Sequence, residues 1–116
     1  MKYFKLSEFS CPCCGANNID HKFVELLDTI REQYGKPMVV KSGFRCKKHN
    51  DAVGGVPESA HVDGVAADIG CSFAGDRMKL VTVALANGIK RVGIAKSFVH
   101  TDVSESLPQD VLWLYN

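Results

Sequence analysis

No stretch of this 116-residue chain approaches the ~20 consecutive apolar residues needed to cross a bilayer. The first residues, Met1-Lys2-Tyr3-Phe4-Lys5-Leu6-Ser7-Glu8, meet charge too early to contain the apolar core of a secretory signal. Synthesis in the cytoplasm without a signal peptide and no membrane insertion are therefore expected. Charge of one sign is also missing. Fourteen Lys and Arg against thirteen Asp and Glu leave a net +1, scattered rather than massed, which gives little electrostatic support for nucleic-acid binding or for attachment to anionic membranes. Repeats, low-complexity tracts and breaks in composition are absent, so one domain over 1–116 is expected, as a monomer. A content of 46% apolar and 23% charged residues is ordinary for a soluble globular chain, and the length suffices for a single core.

Cysteine is plentiful by contrast. There are five, an odd number: Cys11, Cys13 and Cys14 cluster, while Cys46 and Cys71 lie apart. Without a secretion signal, reduced thiols or thiolate–metal bonds are favoured over a disulfide framework. The run Cys11-Pro12-Cys13-Cys14-Gly15 resembles half of a zinc knuckle, and Cys46-Lys47-Lys48-His49 offers a second half. A buried free-thiol cluster, or one disulfide such as Cys11 to Cys46, is the preferred reading over a second, structural zinc.

Apolar residues at Phe23, Leu26, Leu27, Ile30 and Tyr34 recur at steps of three and four, which predicts a helix capped by Asp20 and stopped by Gly35 and Pro37. A short strand is expected over Met38–Lys41, a short helix over Lys47–Val53 ended by Gly54-Gly55, and a strand over Val65–Ile69. A further helix is expected from about Asp76 to Ala86, stopped by Asn87-Gly88. Two strands, Ile89–Ala95 and Phe98–Val103, are joined tightly through Lys96-Ser97. Val111–Tyr115 is expected to be a last edge strand or a covering segment. Helices mixed with strands and few crossovers predict an α+β domain with a mostly antiparallel sheet packed by helices.

His61, Asp68 and His100 are the candidate metal ligands. Two imidazoles and one carboxylate form a set that holds Zn²⁺ and leaves a position for water, and nitrogen donors favour zinc over calcium or magnesium. Such an open site makes a nucleophile of water near neutral pH. Asp68 lies in the apolar stretch Val65-Ala66-Ala67-Asp68-Ile69, where an unpaired carboxylate would carry a large desolvation cost that a cation offsets. Gly64 lets the chain bring His61 back toward Asp68, and Ala66 shares Asp68's face and keeps the floor of the site low. Along Phe98–Val103 strand alternation places Phe98, His100 and Asp102 on one face, a titratable pair together. His21 and His49 lack such surroundings and read as surface or structural.

The pattern Ser59-x-His61-x-x-Gly64-x-Ala66-x-Asp68, preceded by Ser42-Gly43-Phe44-Arg45 and followed by Phe98-Val99-His100-Thr101-Asp102, resembles the M15 peptidase family. That family includes zinc D-alanyl-D-alanine carboxypeptidases and phage endolysin peptidases, on a fold shared with the Hedgehog signalling domain. The resemblance runs from about Phe4 to Trp113. It implies one catalytic zinc on His61, Asp68 and His100, Arg45 facing substrate as a catalytic group, and Ser59 binding near metal or substrate. It also implies a peptidoglycan peptide stem as substrate. Action on a cell wall then requires release by phage lysis or another route. A non-catalytic zinc-containing wall-binding or phage structural module is the rival.

One departure stands out. Several branches place an acidic residue shortly before the last histidine ligand, whereas Ile94-Ala95-Lys96-Ser97-Phe98-Val99 contains none. Asp102 is the nearest candidate, either as the general base or as the acceptor of the ring N–H of a zinc-bound histidine. Asp63 and Glu58 are loop carboxylates that could also serve.

Overall fold

The computed structural model describes residues 1–115. After a 3-10 turn at Leu6–Phe9 come α1 (His21–Tyr34), β1 (Val40–Ser42), α2 (Lys47–Ala52), β2 (Ala66–Gly70), α3 (Ala74–Ala86), β3 (Arg91–Ile94), β4 (Phe98–Asp102) and β5 (Val111–Leu114). The strands form one sheet in the order β1-β2-β4-β3-β5. Pairing is antiparallel for β1–β2, β2–β4 and β3–β4, and parallel for β3–β5. The architecture is α+β with a mixed, mostly antiparallel sheet, as expected.

Helix α1 begins where the Asp20 side chain accepts the Lys22 N–H, 3.0 Å away. It ends at Gly35 in the left-handed conformation, with φ 78°. Its inward face carries Phe23, Val24, Leu27, Ile30 and Tyr34, all buried. Val24 takes the deep position expected of Leu26, which is only partly buried at the core's edge. The helical stripe is about a third of the circumference wide, so spacing alone leaves its margin open.

Several element bounds shift from expectation. The first strand is Val40–Ser42 rather than Met38–Lys41, because its bulged pairing aligns Val40 with Ile69 and Ser42 with Asp68. Helix α3 begins at Ala74, two residues before the expected Asp76. The tail is indeed an edge strand, and it runs parallel to β3.

The sheet divides its residues between two environments. Ala67, Ile69, Val92 and Val99 point to one face and join Phe23, Val24, Leu27, Ile30, Leu80 and Ala84 in a continuous core. On the opposite face the register sets Asp68 beside His100 and Arg91 beside Asp102. Residues directly opposite in an antiparallel pair project to the same side, so two strand pairings assemble a polar cluster on the face away from α1 and α3. Among the described residues, no helix is long and apolar enough to cross a membrane.

Candidate metal centre

His61 belongs to the turn leading into β2. Gly64 closes that turn with φ +74°, and a Cβ there would run into the backbone carbonyl of Asn18. Hydrogen bonds from Gly64 N to His61 O and from Val65 N to Ala60 O hold the turn shut. Ser59 Oγ accepts the His61 N–H at 3.2 Å, so the serine braces the ligand loop while also lining the cleft. Arg45 N donates to the His61 carbonyl oxygen, tying the preceding loop to the same turn.

His61, Asp68 and His100 converge, offering ligand atoms within 4.8 Å of one another. Asp68 Oδ1 lies 3.3 Å from His61 Nε2 and 2.9 Å from His100 Nδ1. The two imidazoles meet edge to face, with centroids 5.1 Å apart. All three side chains are buried.

The far side of each ring determines how this cluster meets a metal. His61 Nδ1 sits 2.8 Å from the Gly43 carbonyl oxygen, which can only accept, so that nitrogen carries the proton and Nε2 presents its lone pair inward. His100 Nε2 sits 2.7 Å from Asp102 Oδ2, leaving Nδ1 to face Asp68. Inward lone pairs therefore confront the Asp68 carboxylate, an arrangement that calls for a cation between them. Ring N–H groups anchored on a carbonyl and a carboxylate are the usual outer support of zinc-binding histidines. The donor set fits zinc.

Burial opposes ionisation of Asp68, yet without a metal the hydrogen bonds and charges of His100 and His61 in their doubly protonated forms hold its carboxyl well below the usual range. Burial likewise works against a charged His100, and the Asp102 and Asp68 carboxylates outweigh it and raise its pKa. Arg45 Nη2 reaches the other Asp68 oxygen at 3.3 Å, while its Nε donates to Ser42 Oγ and Nη1 to Asn50 Oδ1.

Asp102 is fully enclosed. Its Oδ1 accepts from Arg91 Nε at 2.8 Å and from Ser104 N at 3.1 Å, and Oδ2 faces His100 Nε2. Both oxygens are thus engaged. Neither loop carboxylate lines the cleft: Glu58 is exposed, and Asp63 borders a different groove with Asp20 and Glu105. His21 and His49 also lie outside the cluster.

Sequence reasoning missed Arg91 and Trp113. Trp113 tilts over His100 with centroids 5.2 Å apart, and the Arg91 guanidinium lies over its indole at 5.0 Å. Together with Tyr115 they close one wall of a cleft of about 470 Å³ above the triplet. The one available signal was the alternation Val111, Trp113, Tyr115, which puts both aromatics on one side of an edge strand.

Two imidazoles and a carboxylate, buried at the floor of a cleft with their outer ring nitrogens anchored, form a candidate metal site of the open type. The chain belongs to the M15 peptidase family, whose model, described as Peptidase M15, matches residues 2–103. That span includes the triplet, Arg45 and Asp102, and stops before β5 with Trp113. No curated protein matches the chain.

Proposed function

We propose that this protein is a zinc-dependent peptidase acting on the peptide stem of bacterial peptidoglycan, as a D-alanyl-D-alanine carboxypeptidase or a murein endopeptidase. Membership of the M15 family supports peptide-bond hydrolysis. The observation that carries the metal assignment is the inward convergence of His61 Nε2, Asp68 Oδ1 and His100 Nδ1, with both outer ring nitrogens anchored.

His61, Asp68 and His100 would hold the ion. When bound, zinc supplies Lewis acidity toward a peptide carbonyl and acidifies water. Arg45 stands at the cleft wall with donors left over after Ser42, Asn50 and Asp68 are satisfied. Its planar fork suits the developing oxyanion or a terminal carboxylate of the stem. Asp102 acts through His100: by accepting the Nε2 proton it keeps Nδ1 unprotonated and aimed at the ion. It is a positioning residue in this reading, since its oxygens are committed to His100, Arg91 and Ser104. Ser59 acts one step further out, holding the His61 backbone. Trp113 and Tyr115 offer an apolar wall to the stem peptide.

Incubating the zinc-loaded protein with purified peptidoglycan, followed by mass spectrometry of soluble products, tests the assignment. Free D-alanine identifies a carboxypeptidase, and new internal amino groups identify an endopeptidase. The full engagement of Asp102 and the absence of an acidic residue just before His100 favour the rival, a zinc-containing wall-binding or phage structural module. No product from protein that retains stoichiometric zinc would establish that rival.

A further inference from the structure

A second cluster of metal-ligating side chains lies away from the cleft. Cys11, Cys13, Cys14 and Cys46 bring their four sulfurs within 4.8 Å of one another. Cys13 Sγ is 3.6 Å from Cys11 Sγ and 3.3 Å from Cys46 Sγ. All four thiols are free. A tetrahedral zinc with Zn–S bonds of about 2.3 Å separates its sulfurs by about 3.8 Å, which lies within the range these atoms span. One disulfide would account for two of the sulfurs and leave the other two unexplained.

We propose that these four cysteines bind a second, structural zinc that fastens the N-terminal segment to the loop carrying Arg45. The fourth ligand is the third cysteine of the N-terminal run rather than His49 of the Cys46-Lys47-Lys48-His49 half, since the ring of His49 does not join the cluster. Cys11-Pro12-Cys13-Cys14-Gly15 turns back on itself, with Gly15 N donating to Cys11 O and Cys11 N to Ala16 O, both at 2.8 Å. That turn brings three sulfurs to one side. Backbone N–H groups already point at two of the sulfurs: Cys46 N at Cys11 Sγ and His49 N at Cys46 Sγ, each at 3.4 Å. Such donors stabilise thiolates, the form that binds zinc, and the thiol protons leave to solvent on binding. Lys47 and Lys48 follow Cys46 directly and offset the negative charge of a four-thiolate site. Cys13 and Cys14 are exposed, so the ion has an entry path.

The consequence reaches the cleft through the backbone. Cys46 follows Arg45, and Phe44 N donates to Phe9 O at 2.8 Å. A Cβ on Gly43 would fall 2.7 Å from Phe9 Cα, so the two segments are already in close apposition there. The zinc would lock that apposition from its other end and hold the Arg45 loop in place.

The test is zinc content per chain, by elemental mass spectrometry, of the full-length protein purified under reducing conditions. Two zincs are expected in the wild type. One is expected in Cys13→Ser/Cys14→Ser and one in His61→Ala/His100→Ala. Cobalt substitution adds an independent readout: sulfur-to-cobalt charge-transfer bands should appear in the wild type and in the histidine variant, and vanish with the cysteines. If the cysteine variant does not fold, a mercurial thiol reagent added to the wild type should release one of the two zincs to a chromogenic chelator. A single zinc lost only with the cysteines supports this site and removes the cleft assignment. A single zinc lost only with the histidines, zinc release untouched by the mercurial, or a cobalt spectrum without thiolate bands overturns the proposal.

Discussion

Asp102→Asn is the substitution that separates positioning from proton transfer. The amide keeps the shape of the carboxylate but replaces one of its two oxygens by a donor. In the wild type Oδ1 serves Arg91 and Ser104 while Oδ2 serves His100, so the amide nitrogen must confront a donor on one side or the other. Loss of one charge-assisted hydrogen bond costs about 1.5–3 kcal/mol. If the loss falls on His100, its Nε2 proton is no longer fixed and Nδ1 is less available. A zinc affinity weaker by about 10–100-fold follows, the usual effect of altering the support of a metal ligand. That range corresponds to about 1.4–2.7 kcal/mol, in agreement with the single lost bond. Competition against a chromophoric chelator measures the affinity, with hydrolysis followed at saturating zinc. The expected result is weakened zinc binding and activity largely restored when zinc is added in excess. Unchanged zinc affinity with a collapsed kcat would refute the reasoning and make Asp102 the proton carrier.

Further outcomes follow from the same geometry. In the metal-free protein, His100 has a raised pKa, so its contribution to stability is full below about pH 6.5 and is lost as pH rises through the folded value. Asp68, whose pKa is depressed, contributes above about pH 3.9 and loses that contribution as pH falls. Zinc requires an unprotonated Nδ1 on His100, so the rise in melting temperature on adding zinc should grow between pH 6 and 8 (rough bounds around the His100 transition). Equal shifts at both ends in a fluorimetric melt would contradict this. Gly64→Ala places a methyl group against the Asn18 carbonyl at a positive φ. It should destabilise the fold by more than about 1 kcal/mol and weaken zinc binding, as measured by urea denaturation and chelator competition. Phe9→Ala removes a fully buried ring from the core and should cost about 3–5 kcal/mol in the same denaturation assay. A loss below about 1 kcal/mol would show that the N-terminal segment contributes little to stability.

Much of the local structure was legible from residue order. Helix α1 was marked by its apolar spacing, its Asp20 cap and its Gly35 stop, because a helix repeats every 3.6 residues whatever it packs against. The shared face of His100 and Asp102 followed from strand alternation alone. The triplet His61, Asp68 and His100 stood out by chemistry, and Asp68 within an apolar stretch already called for a cation. The cysteines were harder to read: residue order set Cys46 against the N-terminal run but favoured a buried thiol cluster or a Cys11–Cys46 disulfide over a zinc, because spacing does not show that four sulfurs converge or that Cys13 and Cys14 are exposed.

What residue order determined, then, was the set of local elements and the chemical types available to a metal, since both depend on neighbours a few residues apart. Tertiary structure alone decided who meets whom. Pairing β2 with β4 in one register sets Asp68 beside His100, and a slip of one residue would have turned them to opposite faces. Pairing β3 with β4 supplies Arg91 to Asp102, and the parallel return of β5 lays Trp113 over His100. The Gly43 carbonyl that orients His61 comes from a loop eighteen positions away in sequence. These relations arise from how distant segments bury their apolar faces together, and no local periodicity records them.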